Sequence, residues 1–445
     1  MLGTLDSKRR EATVVGAGIA GLLAAYALDK KGYRVTVLEE RARAGGLIST
    51  RRTEYGIAEA AAHSLLATPT VVEFCRELGV ELTEIRPDSR ARFILRDGRL
   101  RKFPLSAGEA LSAFGHAAFV RSRNHADALN LETWGRRHLG EGATQYLLTP
   151  FVRGIYGVQP AELGVAAAFP ELVIAPGQTL LGTMLGKVFT RRAPDDQNDQ
   201  NGPDGNDTNK RRKQARERKR MVAPLLGIGE VTARLEQYLE RRLGARFQRS
   251  ARVGAVPDAP NVLLATPAHA AAELLKTEAP DLSRQLQAVE YTPIVSVTAF
   301  VERASFTRKV SGVGVLVPAT EGRKCLGILF NSSAFAGRVF DEARYASFTI
   351  LLGGTSKPHW VAATDEAISA AVCEELTKLL GIQGEPAQLV VSRWPRAIPQ
   401  YSITLPTLWH SARETWCAAP GRILFGNYTG QVSLRGMIEQ AGALN

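Results

Sequence analysis

The chain has 445 residues, of which 45% are hydrophobic and 22% are charged, and its formal net charge is +12. This length exceeds one ordinary domain, so we expect two or three domains with sizeable cores. The four cysteines are widely separated and form no C-x-x-C pair or Cys/His cluster. The pattern therefore predicts neither a zinc site nor a disulfide framework, and it fits a reducing compartment. We also expect no signal peptide, and no apolar stretch reaches the roughly 18 residues of a membrane-spanning helix.

At the start of the chain, the sequence predicts a strand, a glycine loop, a helix and a second strand. Gly16, Gly18 and Gly21 follow the β-branched run ATVV, and the helical sequence LLAAYALDKKG follows them. Such glycines permit a tight turn, a close approach to phosphates and close packing of helix on strand. Glu39 ends the second strand, where a carboxylate can accept both ribose hydroxyls and disfavours the 2′-phosphate of NADP. The pattern predicts a dinucleotide site.

A second glycine pair follows this carboxylate. Arg43, Gly45 and Gly46 lie in the segment RARAGG, which is not part of a plain NAD site. The segment resembles the R-x-G-G element of flavin amine-oxidase-like proteins. A cation and bare backbone beside a diphosphate suit a dinucleotide that is held permanently, which favours FAD; an ordinary turn is the alternative.

The elements after this unit alternate between helices and strands. Residues 68–80 predict a capped helix, residues 91–104 a hairpin around an Asp-Gly turn, and residues 105–192 several helices. Further along, we predict a helix, strands in ARVGAV and NVLLA, and another helix. Residues 291–354 alternate like antiparallel strands, and the segments after them predict a covering helix and a final strand, loop and helix.

Most of the net positive charge lies in one segment between these elements. Residues 210–220, KRRKQARERKR, contain eight basic residues and one acidic residue, and residues 193–209 are almost free of apolar side chains. Such a sequence buries too little apolar surface to offset its ordering entropy, so we predict a disordered charged loop over 193–220. A solvated insertion is favoured over a patch for anionic lipid. We expect no nucleic-acid partner, because no aromatic residues interleave with the charges.

Several segments resemble the protoporphyrinogen oxidase family of the flavin-containing amine oxidase superfamily. SRWPRAIPQY, residues 392–401, resembles a signature W-x-x-A-x-P-x-Y, and FGNYTGQVSL, residues 425–434, resembles the closing flavin motif. RFILRDGRLRKFP, LGILFNSSAFAGR and LLGG match further family segments in order. Gly426-Asn427 stands where amine oxidases usually have glycine-glutamate, which points away from amine substrates.

The resemblance implies an α/β fold with three parts, and the order of the predicted elements gives the same three blocks. These parts are a discontinuous Rossmann-like FAD-binding domain, an antiparallel-sheet substrate domain and a helical membrane-contact domain. The predicted boundaries are 1–67, 221–290 and 390–445 for the FAD-binding domain, 68–104 and 291–389 for the substrate domain, 105–192 for the helical domain, and 193–220 for the charged loop.

The resemblance also assigns cofactor contacts. The residues predicted to contact FAD are Gly16, Ala17, Gly18, Ile19, Ala20, Gly21, Glu39, Glu40, Arg43, Gly45, Gly46, Ala61, Ala62, His63, Ser64, Val253, Trp394, Gly426, Asn427, Val432, Ser433 and Leu434. Two departures from the family pattern concern this set. The family's E-x-G-P stretch is EAAA here, which requires a negative φ at the alanine that replaces glycine, and Gln431 stands where a glycine is usual.

Two residues are predicted to bind the substrate. The resemblance places Arg92 near the substrate carboxylates, where a guanidinium fork suits a carboxylate, and places Leu351 on a strand that lines the ring cavity. A solvent-facing charge and plain sheet core are the respective alternatives. His63 is a candidate base beside the flavin, but a structural role is more common for a lone histidine, and no catalytic residue is assigned.

The resemblance implies an FAD-dependent, six-electron oxidation of protoporphyrinogen IX to protoporphyrin IX in haem biosynthesis, with O₂ as electron acceptor. Oxidation of coproporphyrinogen III to coproporphyrin III is one alternative, and a non-catalytic flavin-binding partner protein is another. We expect a cytoplasmic protein that lies peripherally on the inner face of the cell membrane and passes its product to the next enzyme. The helix AGEALSAFGHAAFV fits either this membrane contact or the protein core.

Overall fold

The computed structural model of the chain describes residues 1–123, 130–190 and 220–444. The strands are β1 (Glu11–Val15), β2 (Arg34–Leu38), β3 (Thr50–Arg52), β4 (Ile57–Glu59), β5 (Leu65–Leu66), β6 (Leu82–Glu84), β7 (Arg92–Arg96), β8 (Arg99–Arg101), β9 (Met221–Pro224), β10 (Phe247–Gln248), β11 (Asn261–Leu264), β12 (Tyr291–Glu302), β13 (Gly314–Leu316), β14 (Cys325–Leu329), β15 (Tyr345–Gly353), β16 (Gln388–Pro399) and β17 (Arg422–Leu424). The helices are α1 (Ile19–Lys30), α2 (Pro69–Glu77), α3 (Ala107–Phe119), α4 (Leu131–Ala143), α5 (Thr149–Tyr156), α6 (Val165–Ala168), α7 (Leu180–Thr190), α8 (Gly229–Leu243), α9 (Ala268–Leu275), α10 (Pro280–Gln287), α11 (Asn331–Ala334), α12 (Asp365–Leu380), α13 (Leu405–Glu414) and α14 (Leu434–Gly442).

Five parallel strands form the first large sheet, in the order β10-β2-β1-β11-β17. Helices cover both faces, as a parallel sheet requires. On one face, α1, α8 and α14 pack with Val14 and Leu263 in a first core cluster. On the other face, α9, α10 and α13 pack with Val15 and Leu264 in a second core cluster. The strands come from three distant parts of the chain, and their carboxyl ends meet at one edge.

Seven strands form the second large sheet, in the order β16-β12-β15-β14-β13-β7-β8. Side chains alternate between its faces, so that Val295, Val297 and Ile350 pack under α12 while Ser296 and Leu351 face the opposite side. The predicted strands of this region are confirmed, but the sheet is not purely antiparallel. The pair β13–β7 is parallel, because β7 comes from an early hairpin and joins the edge of β13 in the same direction.

Two details of the predicted layout need adjustment. Residues 251–256, ARVGAV, form no strand in the described chain; the edge strand of the parallel sheet is β10 instead. The run is interrupted by Gly254, and Ala251 N–H donates to the Glu39 carbonyl oxygen rather than to a ladder partner. Strand β16 pairs with β12 along most of its length, so the boundary predicted at residue 390 falls inside a strand of the seven-stranded sheet.

The region from 107 to 190 is mostly helical where it is described, as predicted. A capping box of Ser106 and Glu109 begins α3, and every residue of α3 is at least partly exposed. Arg153 on α5 donates to the Val317 carbonyl oxygen at 2.8 Å, which fixes α5 on the seven-stranded sheet. No helix in the described residues is long and apolar enough to cross a membrane.

Two predicted loops have different outcomes. The hairpin of β7 and β8 is confirmed, with Asp97 at φ 54° and Gly98 at φ 69°, as a two-residue type I′ turn requires. The charged loop predicted over 193–220 lies outside the described residues, except for Arg220. Arg220 donates to Glu84 Oε1 at 2.5 Å.

Candidate active site

A glycine loop joins β1 to α1 at the carboxyl edge of the parallel sheet. Gly16 has φ +97°, a conformation that residues with a Cβ rarely adopt. A Cβ at Gly21 would lie 1.7 Å from the Gly16 carbonyl oxygen, so a larger residue would separate α1 from β1. A Cβ at Gly18, by contrast, would meet no described atom within 4 Å. The loop is tightly packed towards the sheet and open towards a ligand.

The N-terminus of α1 begins at this open side. Gly18 is its N-cap, and in the described structure no side chain caps the helix and no acidic residue lies in its first turn. The helix therefore offers backbone N–H groups and a positive dipole end to an anion such as a diphosphate. The RAGG segment packs against the loop, since Gly45 N–H donates to the Ala17 carbonyl oxygen at 2.8 Å. Arg43 donates to the Gly46 carbonyl oxygen at 3.0 Å and braces this segment.

Glu39 lies directly after β2 and holds the loop from the other side. Its Oε2 accepts a hydrogen bond from Ala17 N–H at 2.6 Å, and its Oε1 accepts one from Arg41 N–H at 2.9 Å. Each carboxylate oxygen keeps a further lone pair for a hydroxyl group. Glu39 can therefore position the loop and accept ribose hydroxyls at the same time.

Two other predicted cofactor contacts lie beside Glu39. Glu40 is exposed, and its Oε1 lies 3.7 Å from Arg252 Nε. Ala251 N–H donates to the Glu39 carbonyl oxygen at 2.8 Å, which brings the partly buried Val253 close to this edge of the sheet. The fold therefore places Val253 two residues after the contact with Glu39, against the second core cluster, and leaves the Glu40 carboxylate exposed.

The end of β11 contributes two residues that were not predicted. The Ala265 carbonyl oxygen lies 2.9 Å, and Thr266 Cγ2 3.2 Å, from the position that a Cβ of Gly16 would take. Thr266 Oγ1 is buried and has no hydrogen-bond partner among the described residues. A position just after a parallel strand, next to the glycine loop, is the signal that could have identified both residues.

The loop between β17 and α14 reaches the same edge. Phe425 N–H donates to the Leu264 carbonyl oxygen at 3.0 Å, and Tyr401 Oη donates to the Asn427 carbonyl oxygen at 2.5 Å. Ser433 caps α14 by accepting from a backbone N–H at 3.1 Å. The Gln431 side chain lies against the first turn of α14. This loop therefore brings the predicted contacts 426–427 and 432–434 to the carboxyl end of β11.

The segment 59–64 lies between the two large sheets. Trp394 on β16 donates from Nε1 to the Ala60 carbonyl oxygen at 2.7 Å. Ala61 and Ala62 pack against the first core cluster, and φ is negative at both. The two alanines therefore meet the backbone condition for replacing the family's glycine and proline.

Two titratable side chains of this segment, Glu59 and His63, lie close to Arg338. The Glu59 and Arg338 side chains are 4% and 3% exposed, with 3.5 Å between Oε1 and Nη1. Burial raises the pKa of Glu59 and lowers the pKa of Arg338. His63 Nε2 is buried without a hydrogen-bond partner among the described residues. Burial and the charge of Arg338 lower the pKa of His63 to about 3, so His63 is neutral near pH 7.

The predicted substrate residue Leu351 lies on the face of the seven-stranded sheet that is turned away from α12. It pairs in register with Ser296 on β12 and belongs to a small apolar cluster that includes Trp394. Ser296, which was not predicted, has a buried hydroxyl without a hydrogen-bond partner among the described residues. Leu351 therefore lies beside the boundary between the two sheets.

Arg92 lies on the same face as Leu351 but not next to it. The register pairs Arg92 with Gly314 on β13, Gly314 with Leu329 on β14, and Leu329 with Thr349 on β15. Three strand spacings separate β7 from β15, about 14 Å. Arg92 is exposed and forms no ion pair among the described residues. It is thus available to a ligand that extends along the sheet from Leu351.

These features fit a dinucleotide with a diphosphate, a ribose and a large ring system. The family described as flavin containing amine oxidoreductase matches residues 19–441, and the chain belongs to this family. The chain is therefore an FAD-dependent oxidoreductase, and the prediction of FAD from the two glycine motifs is confirmed.

Named relatives cover almost the whole chain. The mitochondrial protoporphyrinogen oxidase of Nicotiana tabacum is 25% identical, over 96% of this chain and 92% of that protein. The coproporphyrinogen III oxidase of Propionibacterium freudenreichii subsp. freudenreichii is 28% identical, over 95% of this chain and 88% of that protein. A crystal structure from Exiguobacterium sp. 255-15, provisionally named protoporphyrinogen oxidase, has a TM-score of 0.73 and 20% identity, over 99% of this chain and 98% of that chain. That likeness confirms the α/β fold.

Proposed function

We propose that the protein oxidises protoporphyrinogen IX to protoporphyrin IX in haem biosynthesis, with O₂ as the electron acceptor. The observation that carries this proposal is the near full-length similarity to relatives named for porphyrinogen oxidation. The region between the two large sheets, which we call the crevice, also supports it. The glycine loop on one side suits a dinucleotide, and the seven-stranded sheet on the other side offers the apolar Leu351 and the more distant Arg92. Under this proposal the five-stranded sheet carries FAD and the seven-stranded sheet binds the substrate.

The substrate would lie along the face that holds Leu351 and Arg92. Leu351 and the Trp394 cluster supply an apolar surface for a tetrapyrrole, and the exposed Arg92 guanidinium suits a propionate. Bound FAD supplies two-electron oxidation, so removal of six electrons needs three catalytic cycles. The residues of the crevice orient the ring and exclude water.

Coproporphyrinogen III is the second candidate substrate, and the 28% identical relative favours it. It carries four carboxylates where protoporphyrinogen IX carries two. On the proposed substrate face Arg96 is bound to Glu109, with 2.7 Å between Nη1 and Oε2, whereas Arg92 forms no ion pair among the described residues. Arg99 on β8 lies on the same face but one strand farther from Leu351, so Arg92 is the cation that we assign to a propionate.

The test supplies each porphyrinogen separately to the FAD-bound protein in air and follows porphyrin fluorescence together with O₂ consumption. We expect protoporphyrin to form faster than coproporphyrin, with three O₂ consumed per porphyrin. Faster coproporphyrin formation would reverse the substrate assignment. If the protein binds FAD but neither substrate yields a porphyrin, the protein is instead a non-catalytic flavin-binding protein. Arg92→Ala should raise the KM for the true substrate, while Arg99→Ala in the same hairpin is the matched control.

We further propose that α3 rests on the inner face of the cell membrane, where product could pass to the next enzyme. Leu111, Phe114 and Phe119 on α3 are 73%, 58% and 78% exposed. Glu109, the acidic residue of α3, is turned to Arg96 instead of the outer face. An exposed apolar surface of this kind is typical of a helix that lies in a lipid interface.

A further inference from the structure

We infer that the buried Glu59–Arg338 pair holds His63 as a neutral ring whose proton sits on Nδ1, so that His63 donates a hydrogen bond to bound FAD. The inference rests on the proposed placement of FAD against residues 61–64 and does not depend on the identity of the substrate. It makes Arg338 and Glu59 positioning residues for the cofactor site, although neither was predicted as part of it.

The ion pair is held by elements from distant parts of the chain. Glu59 ends β4, and it accepts hydrogen bonds from Thr50 Oγ1 at 2.6 Å and from Ile228 N–H at 2.8 Å, just before α8. Arg338, after α11, donates from Nη2 to the Pro224 carbonyl oxygen at 3.0 Å. Both side chains are almost fully enclosed, so neither can rotate away to solvent. The Arg338 guanidinium therefore has a fixed position.

Two enclosed nitrogen atoms, Arg338 Nη1 and His63 Nε2, lack hydrogen bonds among the described residues, and His63 lies within range of the Arg338 charge. Arg338 can only donate, so a proton on Nε2 would oppose its charge, whereas a lone pair on Nε2 is attracted to it. The second ring nitrogen, Nδ1, is not enclosed in this way. The proton of the neutral ring therefore belongs on Nδ1, and because the His63 side chain is only partly buried, this nitrogen can reach a bound ligand.

The electrostatics of the site favour the same protonation state. Burial, followed by the charge of Arg338, lowers the pKa of His63 to about 3. The Glu59 carboxylate raises the pKa of Arg338, which opposes the lowering by burial and favours the charged guanidinium. Through the physiological pH range His63 should thus act as a donor of constant strength rather than as a base that takes up a proton.

The direct test is nitrogen-15 NMR of the FAD-bound protein with labelled histidine. The His63 signal, assigned by its loss in His63→Gln, should show a neutral ring with the proton on Nδ1 from pH 5.5 to 8. A cationic ring or a proton on Nε2 in this range would overturn the inference. The measurement needs FAD but no porphyrinogen, so a failure of the proposed substrate does not affect it.

A second test removes the cation. Arg338→Met should raise the pKa of His63 by roughly one unit or more, because the like charge is lost. The absorption spectrum of the bound flavin should then change with pH between about 4 and 5.5, and Arg338→Met/His63→Gln should abolish that change. Arg338→Lys should keep the spectrum independent of pH, as in the wild type. The inference fails if Arg338→Met has a pH-independent spectrum or if the change survives in the double variant.

The matched control is a second pair of an arginine and a glutamate, in which the glutamate is buried. Arg323 Nε lies 3.1 Å from Glu375 Oε2, and this carboxylate is fully enclosed under α12, on the opposite face of the seven-stranded sheet. Arg323→Met should destabilise the protein in a similar way but leave the flavin spectrum independent of pH. A new pH dependence in Arg323→Met would show that general loosening, rather than the charge on Arg338, changes the flavin environment.

Discussion

Glu39 is the residue whose two roles can be separated by experiment. Its carboxylate accepts hydrogen bonds from Ala17 and Arg41 and retains lone pairs for the ribose. We expect Glu39→Ala to weaken FAD binding by about 1.5–3 kcal/mol, roughly ten- to a hundredfold, because hydrogen bonds to a charged group are lost. Flavin content after purification and titration of the apoprotein with FAD measure this effect.

Glu11→Ala is the matched control for that prediction, because Glu11 lies at the amino end of β1, away from the glycine loop, and its side chain is exposed. It should bind FAD like the wild type. Equal flavin retention in Glu39→Ala and the wild type would contradict the assignment of Glu39 to the ribose.

His63 gives a pH dependence of stability in the apoprotein. Its pKa is about 3 in the folded state against an ordinary value of 6.5, so below pH 6.5 the unfolded chain binds a proton that the folded chain does not. Stability should therefore fall as pH falls. Between pH 7.5 and 5.5 the wild type should lose about 1 kcal/mol more than His63→Gln in denaturant unfolding. Equal losses in the two proteins would contradict a buried, neutral His63.

Residues that are close in sequence could be predicted, and residues that meet only after folding could not. Gly16 and Glu39 follow adjacent strands, so a local pattern places them at one edge. Arg338 reaches Glu59 only because the segment after α11 packs on β4, a contact that no local pattern contains. His63 could be noticed as a lone histidine, but its neutral state depends on that distant arginine.

None of the residues of the helix α3 is buried, and this makes the membrane proposal testable. Phe114→Ser/Phe119→Ser should weaken binding to anionic lipid vesicles roughly tenfold or more, because each phenylalanine buries apolar surface worth about 1.5–3 kcal/mol. Co-sedimentation with vesicles measures the change. Phe340→Ser, at a 47% exposed phenylalanine beyond the seven-stranded sheet, is the control and should bind like the wild type. Equal binding by all three proteins would remove α3 from the membrane contact.

Strands with strong alternation could be predicted as elements, but their partners could not. The runs that form β12, β14 and β15 are apolar and β-branched, and each appears where the sequence predicts it. The parallel joining of β7 to β13 depends on where the early hairpin docks, which alternation does not encode. The segment ARVGAV has a composition typical of a strand. However, Ala251 N–H at its start donates to the Glu39 carbonyl oxygen instead of to a partner strand.

At the scale of the whole molecule, the cofactor site depends on two sheets and on three distant parts of the chain. FAD should therefore bind the folded state alone and raise the free energy of unfolding by about 2.7 kcal/mol at a concentration of 100 times its Kd. Trp394 on the seven-stranded sheet donates to Ala60 in segment 59–64, which packs against the core of the five-stranded sheet, so Trp394→Phe should reduce this gain by about 1 kcal/mol.

The control is Trp416→Phe, which removes a comparable indole hydrogen bond, 3.0 Å long, to Glu278 outside the crevice. It should lower the stability of the apoprotein and leave the FAD-dependent gain unchanged. Denaturant unfolding of both variants with and without FAD separates the two effects. If Trp394→Phe lowers the stability of the apoprotein and keeps the full gain from FAD, the bond to Ala60 supports the fold only, and the cofactor site does not need the two sheets to be joined there.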